Sequence, residues 1–99
     1  MAPHLRDIRY DPQASQAIQD ALEFWDRAED AVALIEFAIA RDPTEGKAIT
    51  ESGTLRLLSW QGAKSVNLPT VTYLYKIELD YITVREARFE HAKPQPKEN

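Results

Sequence analysis

The sequence predicts an α+β domain: an N-terminal αα hairpin packed on an antiparallel sheet of three to four strands. Two observations carry that prediction. Apolar residues recur at helical spacing up to the segment Pro43-Thr44-Glu45-Gly46, and beyond it they alternate in short runs separated by turn residues. One such switch of period places helices first and a sheet second within one unit. A third observation is length, since 99 residues suffice for one hydrophobic core without metal or disulfide staples. The expected domain covers residues 1–92. Residues 93–99, where Pro94 and Pro96 stand among charged and amide side chains, read as a disordered tail.

Each element follows from local chemistry. Leu5, Ile8 and Tyr10 suggest a short first strand, although Asp7 and Arg9 leave only a brief alternation. Asp11 and Pro12 then mark a helix start: an oxygen suited to capping, followed by a proline whose missing N–H costs nothing at the first helical position. Ala14, Ile18, Ala21, Trp25, Ala28, Val32, Ile35 and Ile39 follow at alternating steps of four and three. Read as one helix, residues 12–41 would form a rod about 45 Å long, too long for a domain whose radius of gyration should be about 13 Å. A break is therefore predicted at Trp25-Asp26, where Asp26 and Glu29 have capping-box spacing. The second helix should run over residues 27–41 and stop before Pro43.

In the second half, residues 54–60 predict a strand closed by a turn at Gln61, Gly62, Ala63 and Lys64. Residues 66–68 are assigned to the next strand, with Pro69 marking an edge or a bulge because it cannot donate to a ladder. Val71, Tyr73, Tyr75 and Ile77 share one face of a strong strand, and Thr72, Leu74, Lys76 and Glu78 share the other. Residues 81–89 form the last strand after a short turn near Leu79 and Asp80. The three glycines, Gly46, Gly53 and Gly62, are all assigned to turns.

Composition narrows the chemistry. There is no cysteine, which excludes thiolate metal sites, thiol nucleophiles and disulfides and suits a reducing cytosol. No apolar run has the length of a signal-peptide core or a membrane span, so the expectation is a soluble, intracellular protein. His4 and His91 stand apart from any His/Asp/Glu grouping of metal-site spacing, and no glycine-rich phosphate loop is present. No metal and no cofactor are expected. The formal net charge of −4 hides an asymmetry: four Lys/Arg stand against ten Asp/Glu through Gly46, and eight against six from Lys47 onward. A polyanion would therefore meet the sheet, not the helices.

The order of a helix pair, Pro43-Thr44-Glu45-Gly46-Lys47, Leu55-Arg56-Leu57, Tyr73-Leu74-Tyr75-Lys76-Ile77 and Tyr81-Ile82-Thr83-Val84-Arg85 resembles the RelE/ParE superfamily of type II toxin–antitoxin toxins. The resemblance covers residues 30–89. It implies two helices on an antiparallel sheet, a cognate antitoxin as partner, and a target that is ribosome-bound messenger RNA or DNA gyrase. Ribosome-dependent members cut RNA without metal, using cations where charge develops on phosphorus and groups that exchange protons near the ribose 2′-hydroxyl. By position, the resemblance assigns such roles to Arg56, Arg85 and Arg88, with Tyr81 nearby. The chain departs from the family at Thr72, where an arginine is typical, and at Phe89-Glu90, where a basic pair is typical, with His91 two positions late. The segment over residues 61–70 is also long for a family hairpin. These departures weigh against cleavage and less against a gyrase-directed or inactive member.

The same residues also have plainer readings. Leu55 and Leu57 should face the core and turn Arg56 outward onto the face a substrate would meet. Arg85 and Arg88 have an odd offset and cannot share a face unless a bulge intervenes; otherwise they are solvent-facing partners of Glu86 and Glu90. Tyr73 and Tyr75 are expected in the core with satisfied hydroxyls, and Trp25 and Trp60 in the core or as helix–sheet anchors. The alternative to a toxin is a non-catalytic interaction module, a homodimer pairing through an exposed strand edge over residues 66–72.

Overall fold

The chain enters through β1, Asp7–Tyr10, and passes directly into α1, Pro12–Phe24, in the computed structural model, which describes residues 6–93. Asp11 has the extended backbone of an N-cap and Pro12 takes the first helical position, as their order predicts. The Asp11 side chain does not cap the helix; its carboxylate lies 3.4 Å from Arg85 Nε. α1 ends where Trp25 turns extended, at φ −110° and ψ 126°, while its N–H still donates to the Ala21 carbonyl at 2.8 Å. α2 then runs over Ala28–Arg41. The predicted break is present, but the Asp26/Glu29 capping box is not. Arg27 occupies the N-cap position without a side-chain cap, and its guanidinium instead binds Asp30 at 2.8 Å. Glu29 and Asp30 place negative charge on the amide-rich end of α2.

α2 stops at Asp42, whose carboxylate accepts from the Thr44 N–H at 3.1 Å and the Thr44 hydroxyl at 2.7 Å. These bonds hold the Asp42 carboxyl below the usual carboxylate range and fix a 3₁₀ turn at Pro43–Glu45. The remaining strands are β2 (Lys47–Ala48), β3 (Leu55–Trp60), β4 (Thr70–Ile77) and β5 (Tyr81–Glu90). They join β1 in one five-stranded sheet of order β1-β5-β4-β3-β2. β1 runs parallel to β5, and the other pairs are antiparallel. The expectation of three to four antiparallel strands is therefore corrected to a five-stranded mixed sheet. β2 has two residues and β1 four, too few for an alternation to register, and the helix pair after β1 frees that strand from hairpin pairing.

A second correction concerns residues 66–68. They do not begin a strand: Lys64–Val66 forms a 3₁₀ turn, Asn67 adopts φ 56° and ψ 31°, and Ala63 and Leu68 exchange backbone hydrogen bonds across the loop at 2.9 and 3.0 Å. Pro69 is buried beside Thr70, the first residue of β4. β4 itself lies between β3 and β5, so the proposed dimer edge there does not exist.

Both helices cover one face of the sheet. Val71, Tyr73 and Tyr75 of β4 and Ile82 and Val84 of β5 are buried against Ala14, Ala31, Ile35 and Ile39, the alternation predicted for β4. Ala21, Ala28 and Ala38 are also buried, and side chains this small let the helices approach closely. Trp60 packs against this core as an anchor should, but Trp25 does not belong to it. Among the described residues no helix is long and apolar enough to cross a membrane. Leu5 of the expected first strand, His4, and residues 94–99 of the expected tail lie outside the described residues.

Candidate functional site

Among the described residues the opposite face of the sheet carries no helix, and the strand register fixes which side chains stand on it. Tyr75 is buried under the helices and pairs with Arg56, so Leu57, paired with Leu74, projects from the other side. Across the uncovered face one row reads Lys47, Leu57, Leu74, Glu86, and a second reads Leu55, Lys76, Thr83, Arg9. A third row contains Ser59, Thr72 and Arg88, with a 2.7 Å hydrogen bond between the Ser59 and Thr72 hydroxyls. Leucines thus form a central apolar strip, with cations and carboxylates set around it.

Arg56 is the main correction. It projects to the helix side, not onto this face. Its Nε donates to the Gly53 carbonyl at 2.8 Å, and one terminal nitrogen donates to Thr44 O at 3.0 Å and Gly46 O at 2.7 Å. The guanidinium clamps the segment between α2 and β2 to the first residues of β3. The inference that Leu55 and Leu57 face the core had the parity of β3 reversed: Leu58 and Trp60 are the residues that pack inward.

Arg85 occupies a bulge. The β4–β5 register passes from Leu74↔Glu86 to Tyr75↔Val84, which leaves Arg85 without a partner on β4. The extra residue lets Val84 and Ala87 both serve the helix side and brings Arg85 toward the uncovered face. There it lines a cleft of about 350 Å³ with Leu74, Lys76 and the hydroxyl residues Thr50, Ser52 and Thr54. Its charge is shared with Asp11 at 3.4 Å, not with Glu86 or Glu90, and Gln13 Nε2 donates to its carbonyl at 3.3 Å. Arg88 lines a separate cleft of about 390 Å³ beside Gln13, Leu57, Thr72 and Glu86. Tyr81 lies at the far end of β5, where the Arg9 guanidinium stacks over its ring at 3.9 Å.

The four candidate residues therefore do not converge on one reacting atom. Arg56 is committed to backbone carbonyls on the helix side, Tyr81 is stacked by Arg9, and Arg85 and Arg88 share the open face in different clefts. Charge there is nearly balanced: Arg9 lies 3.9 Å from Asp7 and Lys76 3.8 Å from Glu78. Among the described residues no group of three His, Cys, Asp or Glu could hold a metal ion.

The buried tyrosines differ. The Tyr75 hydroxyl donates to the Pro43 carbonyl at 2.6 Å and accepts from the Gly46 N–H at 3.1 Å. Burial raises its pKa, while the Gly46 N–H and Arg56 act in the opposite direction. The Tyr73 hydroxyl has no partner among the described residues; burial, and secondarily the Glu36 carboxylate, drive its pKa far above the ordinary phenol range. The expectation of two satisfied hydroxyls thus holds for Tyr75 and not for Tyr73. No sequence pattern announced the grouping of Phe24, Trp25 and His91, whose rings meet edge to face beside the helix joint, Trp25 and His91 with centroids 4.3 Å apart. The helical period had assigned Trp25 to the core, and no local pattern linked it to His91. The chain matches no family model, no curated protein and no solved structure.

Proposed function

We propose that this chain is a toxin-like domain of the RelE/ParE type that acts by binding, in the manner of a gyrase-directed toxin, and not by cutting RNA. The observation that carries the binding mode is the fate of the four candidate residues. A metal-independent ribonuclease needs its cations and proton-exchanging groups within hydrogen-bond reach of one phosphodiester, and here the best-placed arginine by sequence, Arg56, serves the scaffold. The uncovered face offers a leucine strip rimmed by Lys47, Lys76, Glu86, Arg85 and Arg88, a mixed-charge surface for a protein partner with apolar and charged side chains. A cognate antitoxin would restrain the domain in the cytoplasm by covering that surface. The motif order of the sequence supports the family assignment.

The test is induced expression in bacteria without any partner, with growth and RNA integrity followed together. Growth arrest with intact messenger RNA is the expected result. Unimpaired growth removes the toxin reading, and cleaved messages replace the binding mode with catalysis. One observation favours a second reading, the interaction module: β2 pairs only with Leu57 and Arg56 of β3, leaving residues 58–60 without a strand on that side among the described residues. A homodimer joined there would appear as a stable species of twice the mass in light scattering.

A further inference from the structure

The helix joint forms a cleft of about 430 Å³ lined by Trp25 and Asp26, by Lys64, Asn67 and Leu68 of the loop before β4, and by Ala92 after β5. Phe24 projects into solvent here with 71% exposure, yet it stands against the Trp25 ring at 4.9 Å and 75°, and Trp25 stands against the His91 ring at 4.3 Å and 68°. Perpendicular rings of this kind make an L-shaped corner that presents aromatic edges and faces to a third ring. Two opposite charges line the same cleft, the Asp26 carboxylate and the Lys64 ammonium. Neither forms an ion pair among the described residues, with each other or with any other group.

We propose that this cleft binds a small aromatic zwitterion, an amino acid with an aromatic side chain. Its ring packs in the corner of Phe24, Trp25 and His91, its ammonium faces Asp26, and its carboxylate faces Lys64. The Asn67 amide, which both donates and accepts, lines the same cleft and serves either end. The charge pattern selects the class. Asp26 and Lys64 are both exposed; a purely cationic ligand meets Lys64, a purely anionic one meets Asp26, and an uncharged aromatic gains attraction from neither. Only a ligand carrying both charges satisfies the cleft, and a volume of this size suits one amino acid better than a peptide. This proposal is independent of the toxin-like reading.

The full chain, labelled with ¹⁵N, is titrated with L-phenylalanine while the Trp25 indole N–H and the Asn67 and Ala92 amides are followed by NMR. Saturable shifts confined to these groups are expected, and N-acetyl-phenylalaninamide, which lacks both charges, should bind about tenfold more weakly or worse. Asp26→Asn and Lys64→Gln should each weaken phenylalanine binding by about fivefold or more, with the remaining spectrum unchanged. Absence of saturable shifts, equal binding of the neutral amide, or variants that bind as the wild type does would each overturn the assignment. The comparison of the two ligands requires no variant and decides the question by itself.

Discussion

Tyr73 and Tyr75 stand two positions apart on the same face of β4, both excluded from solvent, and they differ in what their hydroxyls meet. Replacing Tyr75 by Phe removes a bond to Pro43 O and strands the Gly46 N–H, which should cost about 1–2 kcal/mol. Tyr73→Phe removes a hydroxyl with no partner and should be neutral or stabilising by up to about 1 kcal/mol. Urea denaturation of the two variants checks the contrast, and equal losses would contradict it. Glu36 gives a pH signature. Partial burial raises its pKa above 4.5, so the folded state holds the proton more tightly than the unfolded state does. Its contribution to stability therefore falls as pH rises through 4.5 toward the raised value, and the penalty is complete above it. Glu36→Gln should gain stability at neutral pH, with the gain vanishing in acid, as thermal melts across pH would reveal. The alternation of β4 made the burial of both tyrosines legible. Which hydroxyl found a partner was not, because the partner carbonyl belongs to Pro43, 32 positions away.

At the scale of elements, the connection from α2 to β2 is held by Arg56 and by the absence of a side chain at Gly46. A Cβ at Gly46 would collide with the Tyr75 hydroxyl and ring, so Gly46→Ala must displace the bond network around Tyr75. Gly53, at φ +73°, supplies the left-handed turn before β3 and offers Arg56 its carbonyl. Arg56→Ala should destabilise the domain by about 2 kcal/mol through loss of its charged hydrogen bonds, and amide exchange should accelerate over residues 43–48. A variant with wild-type stability and a specific loss of activity would instead place Arg56 in the functional surface. The Pro12 start and the β4 faces were legible because each follows from local spacing or sterics, and the helix break because one rod over residues 12–41 would be too long for the domain. The parity of β3 was not, since Leu55, Leu57 and Leu58 allow either face and the choice is made by pairing with β4. The bulge at Arg85 could be anticipated only as a condition for Arg85 and Arg88 to share a face, because no residue type enforces it.

For the whole molecule, the switch of period at Pro43 made the α+β class readable, while the strand count and the parallel pairing of β1 with β5 depended on contacts that short strands do not advertise. The charge asymmetry between the halves was also readable. The near balance on the uncovered face was not, because Asp11 reaches Arg85 from a different element. That balance, with Arg56 withdrawn to the helix side, suits the sheet to the proposed binding role better than to chemistry on a phosphodiester. If Arg85 and Arg88 rim the surface that engages the target, reversing both charges should abolish function while leaving the core intact. The most direct measurement is growth after induced expression of the wild type and of Arg85→Glu/Arg88→Glu, at matched levels of folded protein. Arrest by the wild type and normal growth with the double variant is the predicted result; the same growth with both proteins would contradict the account.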